Sequence, residues 1–272
     1  VEIEILDEID EVMRVRIRFA HSAPGWPVAI VEPSRLSLLD VPGSDQPQIL
    51  VSNNLQTNAY DAAGVQVGNW SGRLLATKNG LFVADGDLVR YIDPGTGTEA
   101  VWSVTAAGAR SVLVAPLAGF ADPVVVVAEP ASLQLLQASD GGGLATHPLT
   151  VNAMTAADLH GDGQLHLFLG TADGLYQAGA DLSRLGTQAG LAGSITAMAT
   201  GDLDNDQKDE VLVIEADGSL WILDGESLND LGQLSGLLVG DPVLGDIDAD
   251  GRLEIVIVTT MGLQVYEVSG VS

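Results

Sequence analysis

The chain has 272 residues, of which 46% are hydrophobic and only 4% aromatic, and it contains no cysteine. Disulfides, zinc–thiolate sites and thiol catalysis are thereby excluded, although secretion is not. Its 37 acidic residues against 11 basic ones, a net charge of −26, would repel phosphate backbones and anionic lipid surfaces, so no nucleic-acid or membrane-surface partner is expected.

The longest apolar run, around Val124–Ala128, is of strand length, far short of the roughly 18–20 residues of a membrane-spanning helix. The chain opens on Val1 without a basic-then-apolar leader, as expected of a mature or excised piece. Two segments, Val1–Leu6 and Val12–Phe19, lead. In the second, Val15, Ile17 and Phe19 alternate with Arg14, Arg16 and Arg18, which is the period of a strand.

Short apolar segments then recur in threes. The first set is Leu36-Ser-Leu-Leu, Ile49-Leu-Val and Ala59-Tyr60, with Asp40 and Asp61 beside it. The second is Leu74–Thr77, Leu81–Ala84 and Leu88–Ile92, with turns at Lys78-Asn79-Gly80 and Asp85-Gly86. The third is Val112-Leu-Val-Ala, Val124–Val127 and Leu133-Gln-Leu-Leu. In the last three sets the first polar loop becomes a run of acids: Asp158-Leu-His-Gly-Asp162, Asp202-Leu-Asp204-Asn-Asp206 and Asp246-Ile-Asp248-Ala-Asp250-Gly251. Each leads into an apolar stretch and then a Gly turn, at Asp173-Gly174, Asp217-Gly218 and Met261-Gly262. Glycine supplies the positive φ of tight hairpins.

The acidic runs start at 158, 202 and 246, a constant spacing of 44 residues. Repeats of about 40–50 residues built from strands point to a propeller. Six copies centre near residues 40, 78, 116, 158, 202 and 246, each with three visible strands and a less regular fourth. The expected fold is all-β: a six-bladed β-propeller of about four antiparallel strands per blade, one domain over 1–272, with 1–25 supplying N-terminal strands and 26–272 the repeats. The last copy stops after its third strand, at Tyr266-Glu-Val268. A strand from 12–19 is therefore expected to complete the last blade and close the ring; the other reading is a separate hairpin outside it.

The repeats resemble the FG-GAP/VCBS repeats of integrin-α-like β-propellers, whose loops run roughly Asp-x-Asp-x-Asp-Gly-x-x-Glu before a buried strand and a Gly turn. Asp246–Glu254 follows the pattern fully, and Asp202–Glu210 follows it with Gln207 in place of Gly. Gly25-Trp26-Pro27-Val28 is similar to the blade linker of bacterial members. The resemblance spans residues 26–272. Copy four departs with His160 and His166 at the third and ninth positions, copy one with Pro42, Ser44 and Gln48, and copy three with Pro116 and Val124. The resemblance therefore implies calcium, about two ions, at copies five and six only.

The chemistry agrees. Calcium takes six to eight oxygens in flexible geometry. In a nine-residue loop the first, third, fifth and ninth side chains can turn inward, and the seventh residue can offer its carbonyl. The expected ligands are Asp202, Asp204, Asp206, the Lys208 carbonyl and Glu210, then Asp246, Asp248, Asp250, the Arg252 carbonyl and Glu254. An EF-hand would need a Glu at the twelfth position, where Val213 and Ile257 stand. The competing reading is a bare acidic turn, in which crowded like charges repel. Asp158 and Asp162 alone make a poor calcium site, and with His160 they form only a weak metal candidate. His160 and His166 suggest zinc or another transition metal, but the favoured reading is surface histidines on a decayed loop.

The expected function is a calcium-stabilised binding or scaffold module that meets a protein partner in adhesion or interaction, placed extracellularly, at the cell surface or in the periplasm. None of the four histidines, His21, His147, His160 and His166, sits in a nucleophile motif, and no phosphate-cradling loop is present. A secreted lyase or hydrolase with a channel-lining site is one alternative. A glycan-binding lectin is another, weakened by only four Trp, four Tyr and four Phe. Asn69-Trp70-Ser71 matches a glycosylation sequon too short to exceed chance.

Overall fold

The computed structural model describes residues 2–9, 12–18, 35–39, 47–77, 80–93, 95, 99–180, 182, 184–187, 191, 193–235, 240–248, 250–259 and 262–268. The segment Gly25–Val28, the copy-one positions Asp40, Pro42 and Ser44, His21, and the turn residues Lys78, Asn79 and Met261 lie outside the described residues. Every regular element among them is a strand, and none is a helix long and apolar enough to cross a membrane.

Strands β1 (Glu2–Ile9) and β2 (Val12–Arg18) come first. Blade one is β3 (Arg35–Leu39), β4 (Gln48–Ser52), β5 (Gln56–Tyr60) and β6 (Gln66–Ser71). Blade two is β7 (Arg73–Ala76), β8 (Leu81–Asp85), β9 (Leu88–Ile92) and β10 (Ala100–Thr105). Blade three is β11 (Ser111–Ala115), β12 (Val124–Ala128), β13 (Leu133–Gln137) and β14 (Gly143–His147). Blade four is β15 (Ala153–Asp158), β16 (Leu165–Thr171), β17 (Gly174–Ala178) and β18 (Arg184–Thr187). Blade five is β19 (Ile195–Gly201), β20 (Glu210–Glu215), β21 (Leu220–Leu223) and β22 (Asp230–Leu234). Blade six contributes β23 (Val243–Gly245), β24 (Glu254–Thr259) and β25 (Gly262–Tyr266).

These are the six blades of a β-propeller, as expected. Five are four-stranded antiparallel meanders, and the sixth runs β1-β2-β25-β24-β23. The N-terminal strand completes the last blade: Val12 pairs with Tyr266 and Met13 with Val265. Residues 12–18 thus take the fourth place, and β1 adds a fifth strand through its own antiparallel ladder with β2.

The chain divides into two compact units, one of Val1–Arg18, Ala115–Ala121 and Thr150–Ser272, the other of Phe19–Val114 and Asp122–Leu149. In the first unit β20 is buried along its whole length. Successive side chains of a strand point to opposite faces. Val211 and Val213 join a core with Phe168 and Leu175 of blade four, while Leu212 and Ile214 join another with Ile255 and Ile257 of blade six. A strand packed on both faces needs an unbroken apolar run, and that is what Val211–Ile214 is.

In the second unit Val125 and Val127 of β12 pack with Phe82, Val89, Trp102 and Leu136. A further cluster joins Leu39 and Leu50 of blade one to Leu74 and Leu81 of blade two. The Phe82 and Tyr91 rings lie 5.0 Å apart and Tyr91 and Trp102 5.6 Å; Phe82 and Trp102 are buried packing residues, not open sugar platforms. Each fully buried large apolar side chain contributes about 1.5–3 kcal/mol. The first loop of blades four, five and six joins the first strand to the second, so its ends are held by strands whose neighbours are already packed.

Candidate metal centres

Asp202, Asp204 and Asp206 bring carboxylate oxygens within 4.8 Å of one another. The loop wraps around its own acids. Asp202 accepts the N–H of Asp206 at 3.1 Å and of Gln207 at 2.9 Å. Asp204 accepts Asp206 N–H at 3.1 Å, and Asp206 accepts Lys208 N–H at 2.8 Å. Such side-chain-to-backbone bonds are how Asp shapes turns. Asn205 and Gln207 take the left-handed conformation, with φ of 65° and 74°. The Lys208 ammonium pairs with Glu226 at 3.2 Å.

Glu210, the first residue of β20, is buried, and its Oε2 accepts the N–H of Leu203 at 2.7 Å. Burial, together with the charges of Asp204, Asp206 and Asp202, pushes its carboxyl up to about 7. A group in this position gains from any cation that can share the triad.

Blade six repeats the arrangement. Asp246, Asp248 and Asp250 lie within 4.8 Å of one another. Gly251 donates to Asp246 at 3.1 Å, Asp250 to Asp248 at 3.1 Å, and Arg252 to Asp250 at 2.8 Å. Glu254 is 1% exposed. Its Oε2 accepts Ile247 N–H at 2.6 Å, but its buried Oε1 has no hydrogen-bond partner. Burial pushes this carboxyl up, and the neighbouring Asp248, Asp250 and Asp246 push the same way. A buried charged oxygen without a partner is costly, so the donor set fits a hard divalent cation. The Arg252 guanidinium lies 4.0 Å from Glu267.

Among the described residues, no other three carboxylates or imidazoles converge to this distance. In blade four, Asp158 accepts the N–H groups of Gly163 at 2.7 Å, His160 at 3.2 Å and Asp162 at 3.2 Å. These backbone bonds outweigh its partial burial and lower its pKa. Asp162 accepts Gln164 N–H at 2.9 Å. The loop thus keeps the shape of its siblings without gathering three ligand atoms. Burial, then the nearby His160, lowers the pKa of His166.

The three loops are joined by residues that spacing alone does not single out. Asp209 Oδ2 accepts the N–H of Asp158 at 2.7 Å, and Asp209 N–H donates to the Asp158 carbonyl at 2.8 Å. Asn205 donates to the Gly251 carbonyl at 3.1 Å. A Cβ on Gly161 would meet the Gln207 carbonyl oxygen at 2.9 Å. The only sequence signal for Asp209 is a fourth acid just before the ninth-position Glu210.

No protein-family model and no curated protein matches the chain. Solved structures do. BBS1N, crystallised in complex with ARL6DN, matches with a TM-score of 0.68 at 12% identity, over 96% of this chain and 86% of its own. The WD40 β-propeller domain of Doa1 matches with a TM-score of 0.58 at 12% identity, over 82% of this chain and 75% of its own. The computationally designed Ika8 protein matches with a TM-score of 0.56 at 15% identity, over 87% and 84%. At these identities the likeness is one of fold, and it agrees with the blade-by-blade topology: the chain is a β-propeller.

Proposed function

We propose that this chain is a calcium-stabilised β-propeller scaffold that engages a protein partner in an extracellular, cell-surface or periplasmic setting, as an interaction or adhesion module. The observation that carries the reading is the pair of Asp triads, each within 4.8 Å, each followed by a buried glutamate. Asp202, Asp204, Asp206 and Glu210 would hold one ion, and Asp246, Asp248, Asp250 and Glu254 the other, with Lys208 and Arg252 offering carbonyls. The ion supplies charge neutralisation and stiffens loops that already touch each other through Asn205 and Gly251. The resemblance of these loops to FG-GAP/VCBS repeats supports calcium over other cations. Weak modular sites suit the high calcium outside cells. BBS1N, a propeller of like fold, was crystallised with a protein partner, which supports the scaffold role.

Calorimetric titration of chelator-treated protein tests the reading. Two calcium ions should bind, and Asp204→Ala with Asp248→Ala should abolish most of the uptake. A double variant that still takes two ions at unchanged affinity overturns the ligand assignment.

A further inference from the structure

The loop of blade four departs from its siblings at two positions together. Its third and ninth positions are His160 and His166, where the others have Asp204 and Glu210, and Asp248 and Glu254. Fold and loop shape are retained, so the exchange is one of donor atoms. Two hard oxygen donors have become two imidazole nitrogens, which suit borderline cations such as zinc.

The two rings are also placed as a pair. They stand edge to face at 82°, with centroids 5.3 Å apart. Two imidazoles bound to one tetrahedral zinc through bonds of about 2.0–2.1 Å place their centroids ~5 Å apart. We propose that His160 and His166 form the two-imidazole core of a divalent transition-metal site of the zinc class, with a metal preference distinct from that of the oxygen-only loops beside it.

The surroundings fit. The Gln177 amide nitrogen lies 3.3 Å from His166 Nδ1. The amide oxygen and nitrogen are interchangeable by a simple flip. With the oxygen on this side, Gln177 accepts Nδ1–H, fixes the tautomer and leaves the Nε2 lone pair for the metal, the outer-shell bond typical of ligating histidines. His160 is exposed and His166 half-buried, and His166 lines a groove of ≈260 Å³ with Leu117, Phe120 and Ala180. Metal and water can therefore reach the rings. Asp162 and Asp158 act on His166 as nearby charges without converging on the two rings, so water completes the coordination.

The test is titration of the full chain, in excess calcium, with Zn²⁺ by calorimetry and with Co²⁺ by visible absorption. One equivalent of either metal should bind, with Co²⁺ giving the intense d–d bands of a low-coordinate site. His160→Gln and His166→Gln should each weaken Zn²⁺ binding at least tenfold, while Asp204→Ala with Asp248→Ala should leave it unchanged. His160 is exposed, so its replacement leaves packing intact, and a circular dichroism spectrum checks this. Absence of Zn²⁺ uptake overturns the proposal. So does uptake that persists undiminished when both histidines are replaced.

Discussion

Asp209 and Asp158 hold each other by two reciprocal bonds: the Asp209 carboxylate accepts Asp158 N–H at 2.7 Å, and its own N–H donates to the Asp158 carbonyl at 2.8 Å. Asp158 ends the first strand of blade four and Asp209 sits one residue before the second strand of blade five. The acidic loop of one blade is thus anchored to the acidic loop of the next. Burial, assisted by the charges of Asp158 and Asp202, raises the pKa of Asp209.

Asp209→Ala should destabilise the protein by about 1–3 kcal/mol, because it leaves the Asp158 N–H without an acceptor. Asp209→Asn, which keeps an oxygen there and removes a charge, should cost much less. Urea unfolding of the two variants checks the ordering; equal losses would assign the effect to charge rather than to the bond.

Chelation should lower the unfolding midpoint and leave the fold intact. An ion that binds only the folded chain stabilises it by about 2.7 kcal/mol at a hundredfold excess over its Kd. The strands next to the loops, Val211–Ile214 among them, are packed on both faces by apolar side chains. Thermal melts with calcium and with chelator check this, the β-sheet circular dichroism at room temperature staying the same. A midpoint indifferent to chelator would mean bare acidic turns.

Without calcium, stability should fall as the pH rises from about 4.5 to about 7. The folded state keeps the Glu210 proton up to about 7 against an ordinary 4.5, so it binds more protons than the unfolded chain in that window. Glu254 shifts in the same direction. Urea midpoints at several pH values, in chelator, should show the decline, and Glu210→Gln should flatten it. Calcium should oppose it, since the ion favours the ionised form.

Gln207→Gly should stabilise the blade-five loop. Gln207 holds φ of 74°, a conformation that costs a residue with a Cβ roughly 1–2 kcal/mol. Part of the gain is lost to the greater freedom of glycine in the unfolded chain, about 0.4–1 kcal/mol. The net increase should be about 0.5–1 kcal/mol by denaturant unfolding, and the blade-six loop already carries Gly251 at the same place, with φ of 90°.

The blade count, the second strands and the acidic loops were legible because their causes are local. A strand buried on both faces must be apolar throughout, as Val124–Ala128 and Val211–Ile214 are. A turn that folds around its own carboxylates must carry them at alternate positions. The closure by β2 followed from a last copy one strand short. The outer strands were faint: β22 and β14 are only half-buried or exposed along their lengths, so burial imposes no pattern on them. Asp209 was invisible for another reason. Its partner lies 51 residues away on another blade, and no spacing within one repeat encodes that meeting.

Because Val12 pairs with Tyr266, the sixth sheet joins a segment translated before the other five blades to one translated after them. During translation β2 has no partner in its own sheet except β1, and β25 emerges long after the other blades can pack. Contacts between such distant parts of a chain form slowly, and an unpaired strand edge is prone to intermolecular pairing meanwhile. The molecule should therefore be most vulnerable to aggregation in a nascent state, and a chaperone that shields strand edges should raise the yield of folded protein more than one that only delays collapse.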